Sequence, residues 1–227
     1  MIKISNREII DVVKYGSNKA IFVEKRPLFD EGGRYKVNYF VLKFDTGENE
    51  VITKNAYLMQ KFGTHYEKIS DSLGNFVLCD AWSMPNRNVL VIFENGQAGL
   101  FDEEGNLKKD GLLSYNDCPL RGIADDGDCF WSYCTDQNCV IRYFAEGIKS
   151  DIRIGGKDAL TFSRPNHISS DDHYVYVCCE ERYVRKIDKK DFTVSDLGHS
   201  YGDLKRFYCF GKYAVVCTST AAFVDKL

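Results

Sequence analysis

An internal repeat constrains the fold of this sequence more than any other feature. Each copy has a polar turn, an apolar run, a short polar turn and a second run that ends in an apolar residue. The pattern recurs at 20–23 with 39–45, at 86–106, at 125–144, at 171–188 and at 210–227. Several second runs end alike, with Phe101 before Asp102 and Ile187 before Asp188. Such self-similarity indicates one supersecondary unit copied along the chain.

The spacing of the copies predicts the architecture. Another apolar segment precedes each pair of runs, and these segments begin at residues 9, 75, 119, 165 and 206. All but the first interval are close to the roughly 40–50 residues of a four-stranded propeller blade. A fourth strand follows in places, as at 192–198. We therefore expect an all-β fold, a five-bladed β-propeller of four-stranded antiparallel blades that forms a single domain over residues 1–227.

The strand pattern and the chain ends agree with a closed ring. Residues 174–179 are apolar on both faces, as expected for a strand that is covered on both sides by neighbouring blades. The last copy stops after three strands, and Ile2 and Ile4 alternate with polar residues near the N-terminus. Residues 1–7 are therefore predicted to complete the last blade, which removes two unpaired sheet edges.

Two of the copies resemble a known repeat. The segments 119–144 and 165–198 resemble the repeats of NHL- and YVTN-type propellers. The matching residues are Pro119, Gly122, Ile123 and Asp126 in one copy, and Pro165, Asp172, Tyr176, Val177, Val184, Ile187 and Asp188 in the other. The resemblance implies architecture only, because propellers host binders, lectins and hydrolases alike.

Composition excludes several classes of partner. The 30 basic and 33 acidic residues leave a net charge of −3, without the basic surplus of nucleic-acid-binding proteins. No apolar stretch approaches the ~18 residues of a membrane span, and the first residues do not resemble a secretion signal. The nine cysteines include no Cys-x-x-Cys pair. We expect reduced thiols and a cytoplasmic location. We expect no metal site, no cofactor, and no nucleic acid or membrane among the partners.

Two segments are longer than the repeat requires. The turn at 25–36 lies within the first blade, and the excess at 56–74 lies between the first two blades. The apolar residues of the second segment are spaced for an amphipathic helix: Leu58, Phe62, Tyr66, Ile69 and Leu73. Both insertions are expected on one face of the ring, since turns between second and third strands share that face with the connections between blades.

A rim of aromatic and basic side chains is predicted on that same face, because the residues leading into each inner strand lie there too. Tyr and Arg are enriched at binding hot spots. The candidate binding residues are Arg26, Arg34, Tyr35, His65, Tyr115, Arg121, Arg164, His167, Tyr201 and Arg206.

Three functional hypotheses follow. The leading one is a non-enzymatic module that binds a protein or peptide around the propeller channel on the insertion-bearing face. The alternative is a small-molecule or carbohydrate binder with equivalent pockets between blades. The third is a hydrolase, which needs two carboxylates ~5–10 Å apart and could draw on Glu8, Asp117 and Asp203. No catalytic motif supports it, and residues 125–128 are typical of a turn rather than of a calcium loop.

Overall fold

Short apolar runs separated by polar turns become antiparallel strands in the computed structural model of the chain, which describes residues 1–29, 32–33, 35–73 and 78–226. The elements in chain order are β1 (Ile2–Ser5), β2 (Ile9–Lys14), β3 (Lys19–Phe29), β4 (Tyr35–Lys43), β5 (Asn49–Val51), α1 (Lys54–Phe62), α2 (Tyr66–Leu73), β6 (Leu78–Ser83), β7 (Val89–Phe93), β8 (Gln97–Phe101), β9 (Leu107–Leu112), β10 (Ser114–Tyr115), β11 (Cys118–Pro119), β12 (Arg121–Asp126), β13 (Cys129–Cys134), β14 (Cys139–Phe144), β15 (Lys149–Gly155), β16 (Pro165–Ser170), β17 (Tyr174–Cys179), β18 (Tyr183–Asp188), β19 (Val194–Ser200), β20 (Leu204–Phe210), β21 (Tyr213–Thr218) and β22 (Ala222–Lys226).

The strands form five four-stranded antiparallel sheets and one small hairpin, β10–β11. Blade 1 is β2–β5, blade 2 is β6–β9, blade 3 is β12–β15, blade 4 is β16–β19, and blade 5 combines β20–β22 with β1. The first strands of blades 2 to 5 contact their neighbours around a central channel, β6 with β12, β12 with β16, and β16 with β20. The predicted five-bladed β-propeller is therefore confirmed.

The two ends of the chain close the ring within blade 5, as predicted. Strand β1 pairs with β22, placing Ile2 opposite Val224, and the Met1 amino group lies 3.0 Å from the Asp225 carboxylate. Without β1, the backbone N–H and C=O groups along β22 would form an unpaired edge.

Apolar side chains are buried between facing blades. Val177 packs toward blade 3, next to Trp131, whereas Cys178 packs toward blade 5, next to Phe207. Successive residues of a strand point to opposite sides of its sheet, so a middle strand covered on both sides must be apolar at every position. The continuous apolar run in β17 has this cause.

A pair of helices occupies the junction between blades 1 and 2. Helix α1 begins after Thr53, whose hydroxyl accepts a hydrogen bond from the N–H of Ala56, and it ends at Gly63, whose φ of 74° favours glycine. The expected single helix is thus two helices. Four of its five predicted apolar residues pack together against blade 2: Leu58, Phe62, Tyr66 and Ile69. The side chain of Leu73, the fifth, lies outside the described part of the structure.

The path of these helices corrects the expectation that segment 56–74 lies on the same face of the ring as segment 25–36. We call the face where the inner strands begin the upper face and the face where they end the lower face. Gln60 donates a hydrogen bond to the carbonyl of Lys14, at the lower end of β2. Lys68 donates to Glu104, in a lower-face turn of blade 2. The segment therefore runs inward beside the sheets, because its apolar side is buried rather than exposed.

The other insertion, 25–36, is largely regular structure. Strands β3 and β4 continue past the end of their blade as a two-stranded ribbon on the upper face. The pairing is irregular between Lys25 and Phe29, and Tyr35 lies opposite Phe29. We expect a long turn from the sequence, whereas residues 25–29 and 35–36 belong to the two strands.

Two further expectations concern cysteine and the membrane. All nine cysteines are free thiols, and seven of them are buried. Within the described residues, neither helix has the length and apolar character needed to cross a membrane.

Packing of the helices against blade 2 can be tested by truncating Ile69, whose side chain is 1% exposed. We expect Ile69→Ala to lower the free energy of unfolding by roughly 2–5 kcal/mol, the usual cost of a cavity in a core. Met59→Ala, at a position on α1 that is 50% exposed, is the control and should change it by less than about 0.5 kcal/mol. Urea unfolding measures both, and equal losses would contradict the buried position of α2.

Candidate functional site in the central channel

A β-bulge at the upper end of each inner strand shapes the channel wall. The pairing shifts directly before Asp11, Asp80, His167 and Arg206, and a similar shift falls within 121–124. A bulge adds one residue to a strand and redirects the side chain at that point. The four polar side chains therefore occupy equivalent positions on four blades. We call them the channel ring.

Helix α1 places a lysine between two members of the ring. The Lys61 ammonium lies 2.6 Å from the Asp11 carboxylate and 2.9 Å from the Asp80 carboxylate, and its side chain is 8% exposed. The Tyr57 hydroxyl donates a 2.7 Å hydrogen bond to Asp11. The N–H of Ile123 donates a 2.9 Å bond to the second oxygen of Asp80. The two carboxylates are thus held by three donors, two from α1 and one from β12.

These contacts fix the charge states of the group. Burial alone would raise the pKa of Asp11, but the Lys61 charge and the hydrogen bonds from Lys61 and Tyr57 hold it below its usual value. Burial alone would lower the pKa of Lys61, but the charges of Asp11 and Asp80 raise it well above its usual value. Both groups remain ionised near neutral pH, so the arrangement binds charge rather than transferring protons.

The other two ring members differ in charge. Burial and, to a smaller extent, the charge of Arg206 lower the pKa of His167 to about 3, so its imidazole is neutral near pH 7. Its ring meets Tyr208 edge-on at 4.8 Å, and its buried Nδ1 has no hydrogen-bond partner among the described residues. Arg206 donates a 3.1 Å hydrogen bond to the carbonyl of Ile9. This bond connects blade 5 to blade 1 at the top of the channel.

Below the ring lies a cavity of about 880 Å³. Its walls come from the inner strands of all five blades and include Trp82, Ser169 and Tyr208. It reaches the lower face, where turns such as 171–173 line its mouth. Its inner end is at Asp11, Lys61, Asp80 and His167, and no described residue nearer the upper face lines it. The channel is therefore a one-ended pocket that opens on the lower face.

The nine predicted binding residues that the structure describes do not form one rim. His167 and Arg206 belong to the channel ring, but only His167 lines the cavity. Arg26 and Tyr35 are exposed on the ribbon, and Arg34 lies outside the described residues. His65 connects α1 to α2 beside Gly105, toward the lower face.

The remaining four are spread around the upper face. Tyr115 stacks under Arg153 at 4.5 Å and lines a shallow cleft of about 440 Å³ on blade 3. Arg121 and Arg164 are exposed, and Tyr201 packs on Phe207 with 6.4 Å between ring centroids. These positions belong to blades 3, 4 and 5, and none of the four lines the cavity.

Sequence reasoning missed Asp11, Asp80, Lys61 and Tyr208. A usable signal was present, since a charged or imidazole side chain interrupts four of the five inner apolar segments at the same repeat position. No such signal exists for Lys61, because its helix has no counterpart in the other blades.

The carboxylates proposed for hydrolysis do not converge. Glu8 is paired with Lys25 at 2.9 Å, Asp203 accepts a hydrogen bond from the N–H of Ser219, and Asp117 lies in the β10–β11 turn. Across the described ranges, no group of three or more His, Cys, Asp or Glu side chains has an arrangement suited to a metal ion.

The importance of the Lys61 ion pairs can be measured directly. We expect Lys61→Met to lower the free energy of unfolding at pH 7 by about 3–5 kcal/mol, because Asp11 and Asp80 would be left largely buried and close together without a counter-charge. Adding Asp11→Asn should restore part of the loss. Lys54→Met, at an exposed position on the same helix, is the control. A Lys61→Met protein as stable as this control would show that the pairs contribute nothing.

Comparison with known proteins places the chain by fold only. No protein-family model and no curated protein matches the sequence. Streptogramin B lyase superposes with a TM-score of 0.59 at 10% identity, over 98% of this chain and 95% of that one. A structural genomics protein of unknown function from Bacteroides thetaiotaomicron gives 0.54 at 11% identity, over 97% and 70%. U3-55K gives 0.51 at 9% identity, over 67% and 52%. At such identities the likeness shows the propeller fold alone.

Proposed function

We propose that this chain is a non-enzymatic binding protein that takes up a small ligand through the lower mouth of its central channel. The observation that carries the proposal is the one-ended cavity of about 880 Å³, within the usual size range of small-molecule sites. All five blades contribute to it, so it is a single asymmetric site rather than a pocket repeated between blades.

The charge states in the channel favour binding over hydrolysis. A glycosidase needs one carboxyl group whose pKa is raised enough to donate a proton. Contacts with Lys61 and Tyr57 instead hold the pKa of Asp11 below its usual value. The Lys61 ammonium between Asp11 and Asp80 also occupies the space that an attacking water would need.

A protein partner on the ribbon is a second candidate function, and it retains the leading sequence hypothesis. Leu28 is 55% exposed, Phe29 56% and Tyr35 49%, which is unusual for large apolar side chains at a strand end. The Phe29 and Tyr35 rings are 4.5 Å apart, and the Lys25 ammonium lies 3.9 Å above Tyr35. Aromatic side chains with an adjacent cation are typical anchors in protein interfaces.

The channel proposal can be tested with the two tryptophans of the chain. Trp82 lines the cavity, whereas Trp131 is 0% exposed between blades. We expect acrylamide to quench Trp82 fluorescence readily and Trp131 only weakly, with Trp82→Phe isolating the second signal. A fraction of a small-molecule cell extract that contains the ligand should protect Trp82 and leave Trp131 unchanged. Equal shielding of both tryptophans, or no protective fraction, would contradict the proposal.

For the ribbon, the informative change is the triple variant Leu28→Ser, Phe29→Ser, Tyr35→Ser. We expect it to lose a protein that the wild type captures from cell lysate, because the apolar contact area is removed while the blade core is untouched. Leu107→Ser, at a residue that is 56% exposed on the outer strand of blade 2, is the control and should retain the partner. Identical captures by all three proteins would rule out the ribbon as the docking surface.

A further inference from the structure

We propose that the ligand of the central cavity is a small organic cation, a compound with an ammonium or guanidinium group on an apolar body. This inference rests on the proposed function and specifies its ligand. It draws on the charge of the lining, on the aromatic side chains of the wall, and on the way the chain already holds a cation of its own at the inner end.

Carboxylates outnumber amines in the lining. Five aspartates line the cavity with two lysines, Lys14 and Lys61. Such a surplus in a concave site surrounded by protein focuses a negative potential and attracts cations. Asp11 and Asp80 are already engaged by Lys61 at the inner end, which leaves three aspartates nearer the mouth for a ligand.

Three aspartates provide that excess: Asp125, Asp171 and Asp172. Burial alone would raise the pKa of Asp171, but hydrogen bonds from Tyr176 and from the N–H groups of His173 and Tyr174 hold it below its usual value. Asp125 accepts a 2.7 Å hydrogen bond from Ser170, and Asp172 is exposed.

The nearby cations leave most of this charge uncompensated. Lys189 donates to the carbonyl of Asp125 and lies 3.7 Å from Asp126, which is not a lining residue. Lys14, in the lining, is exposed at the lower end of β2. Neither lysine makes an ion pair with Asp125, Asp171 or Asp172 among the described residues.

Aromatic rings supply the second part of the argument. Trp82 lines the cavity on blade 2, and Tyr208 and Phe210 line it on blade 5. The rings of Tyr208 and Phe210 are nearly parallel, at 11°, with centroids 6.2 Å apart. The faces of such rings attract organic cations and also bury the apolar body that a hydrated metal ion lacks. Aromatic and acidic residues together therefore favour an organic cation.

At the inner end of the cavity, carboxylates already bind a cation that belongs to the chain itself. The channel ring binds the Lys61 ammonium between two carboxylates, so the inner strands already form one ammonium site. Beside it lies the neutral imidazole of His167, which adds no positive charge to the wall of the cavity.

The test is isothermal titration calorimetry of the full chain with four probes: choline, agmatine, 3,3-dimethylbutan-1-ol as the uncharged isostere of choline, and succinate as an anion. We expect saturable binding of at least one of the two cations, weakened by added NaCl because the attraction is electrostatic. The uncharged isostere and succinate should not bind measurably at the same concentrations.

Two variants link the binding to the mouth. Asp172→Asn should weaken cation binding by about threefold to tenfold, and adding Asp125→Asn should weaken it further. Asp136→Asn removes the same charge from an exposed turn on the upper face and should leave the affinity unchanged. Circular dichroism and thermal unfolding establish that all variants are folded.

The possible results distinguish a wrong ligand class from a wrong binding site. Protection of Trp82 from acrylamide by the isostere or by succinate, but not by the cations, would overturn the cation proposal and leave the cavity as a ligand site. No binding by either cation at millimolar concentration would also overturn it. Equal shielding of Trp82 and Trp131 without any ligand would instead overturn the proposed function.

Discussion

Burial of apolar side chains between facing blades holds this ring together, and the junction between blades 1 and 2 is where that packing changes. Among the described residues, apolar clusters join blades 2 and 3, 3 and 4, 4 and 5, and 5 and 1. Against the remaining side of blade 2, the cluster is completed by α1 and α2. The ring is thus closed by two devices, the β1–β22 pairing and the inserted helices.

The inserted helices determine the chemistry of the channel as well as its packing. A helix that reaches the inner strands must place some of its residues at the axis, and Lys61 is placed there. Its ammonium lies between two partly buried aspartates that would otherwise repel each other. Lys61 also lies at the inner end of the cavity, whose mouth is on the lower face. One segment therefore contributes both to the packing between blades 1 and 2 and to the inner end of the cavity.

Much of the architecture could be predicted from the repeat. The alternation of turns with fully apolar runs, such as Tyr174–Cys179, specifies strands covered on both sides, and the missing strand of the last copy specifies closure by β1. These are local or periodic properties, which recur five times and reinforce one another. The predicted binding rim did not form, because its residues were chosen mostly from loops, whose positions the repeat does not specify. Tyr115, Arg164 and Tyr201 lie on the predicted face, but on separate blades and away from the cavity.

The sequence by itself determined the blade repeat, the ring closure and the amphipathic character of residues 56–74. Only the tertiary structure decided that this segment turns inward, that Lys61 lies between Asp11 and Asp80, and that the cavity opens on the lower face. The physical reason is the range of the interactions involved. Strand patterns follow from neighbours two residues apart, whereas the Lys61 ion pairs join residues 50 and 19 positions apart through a helix that has no copy in the other blades.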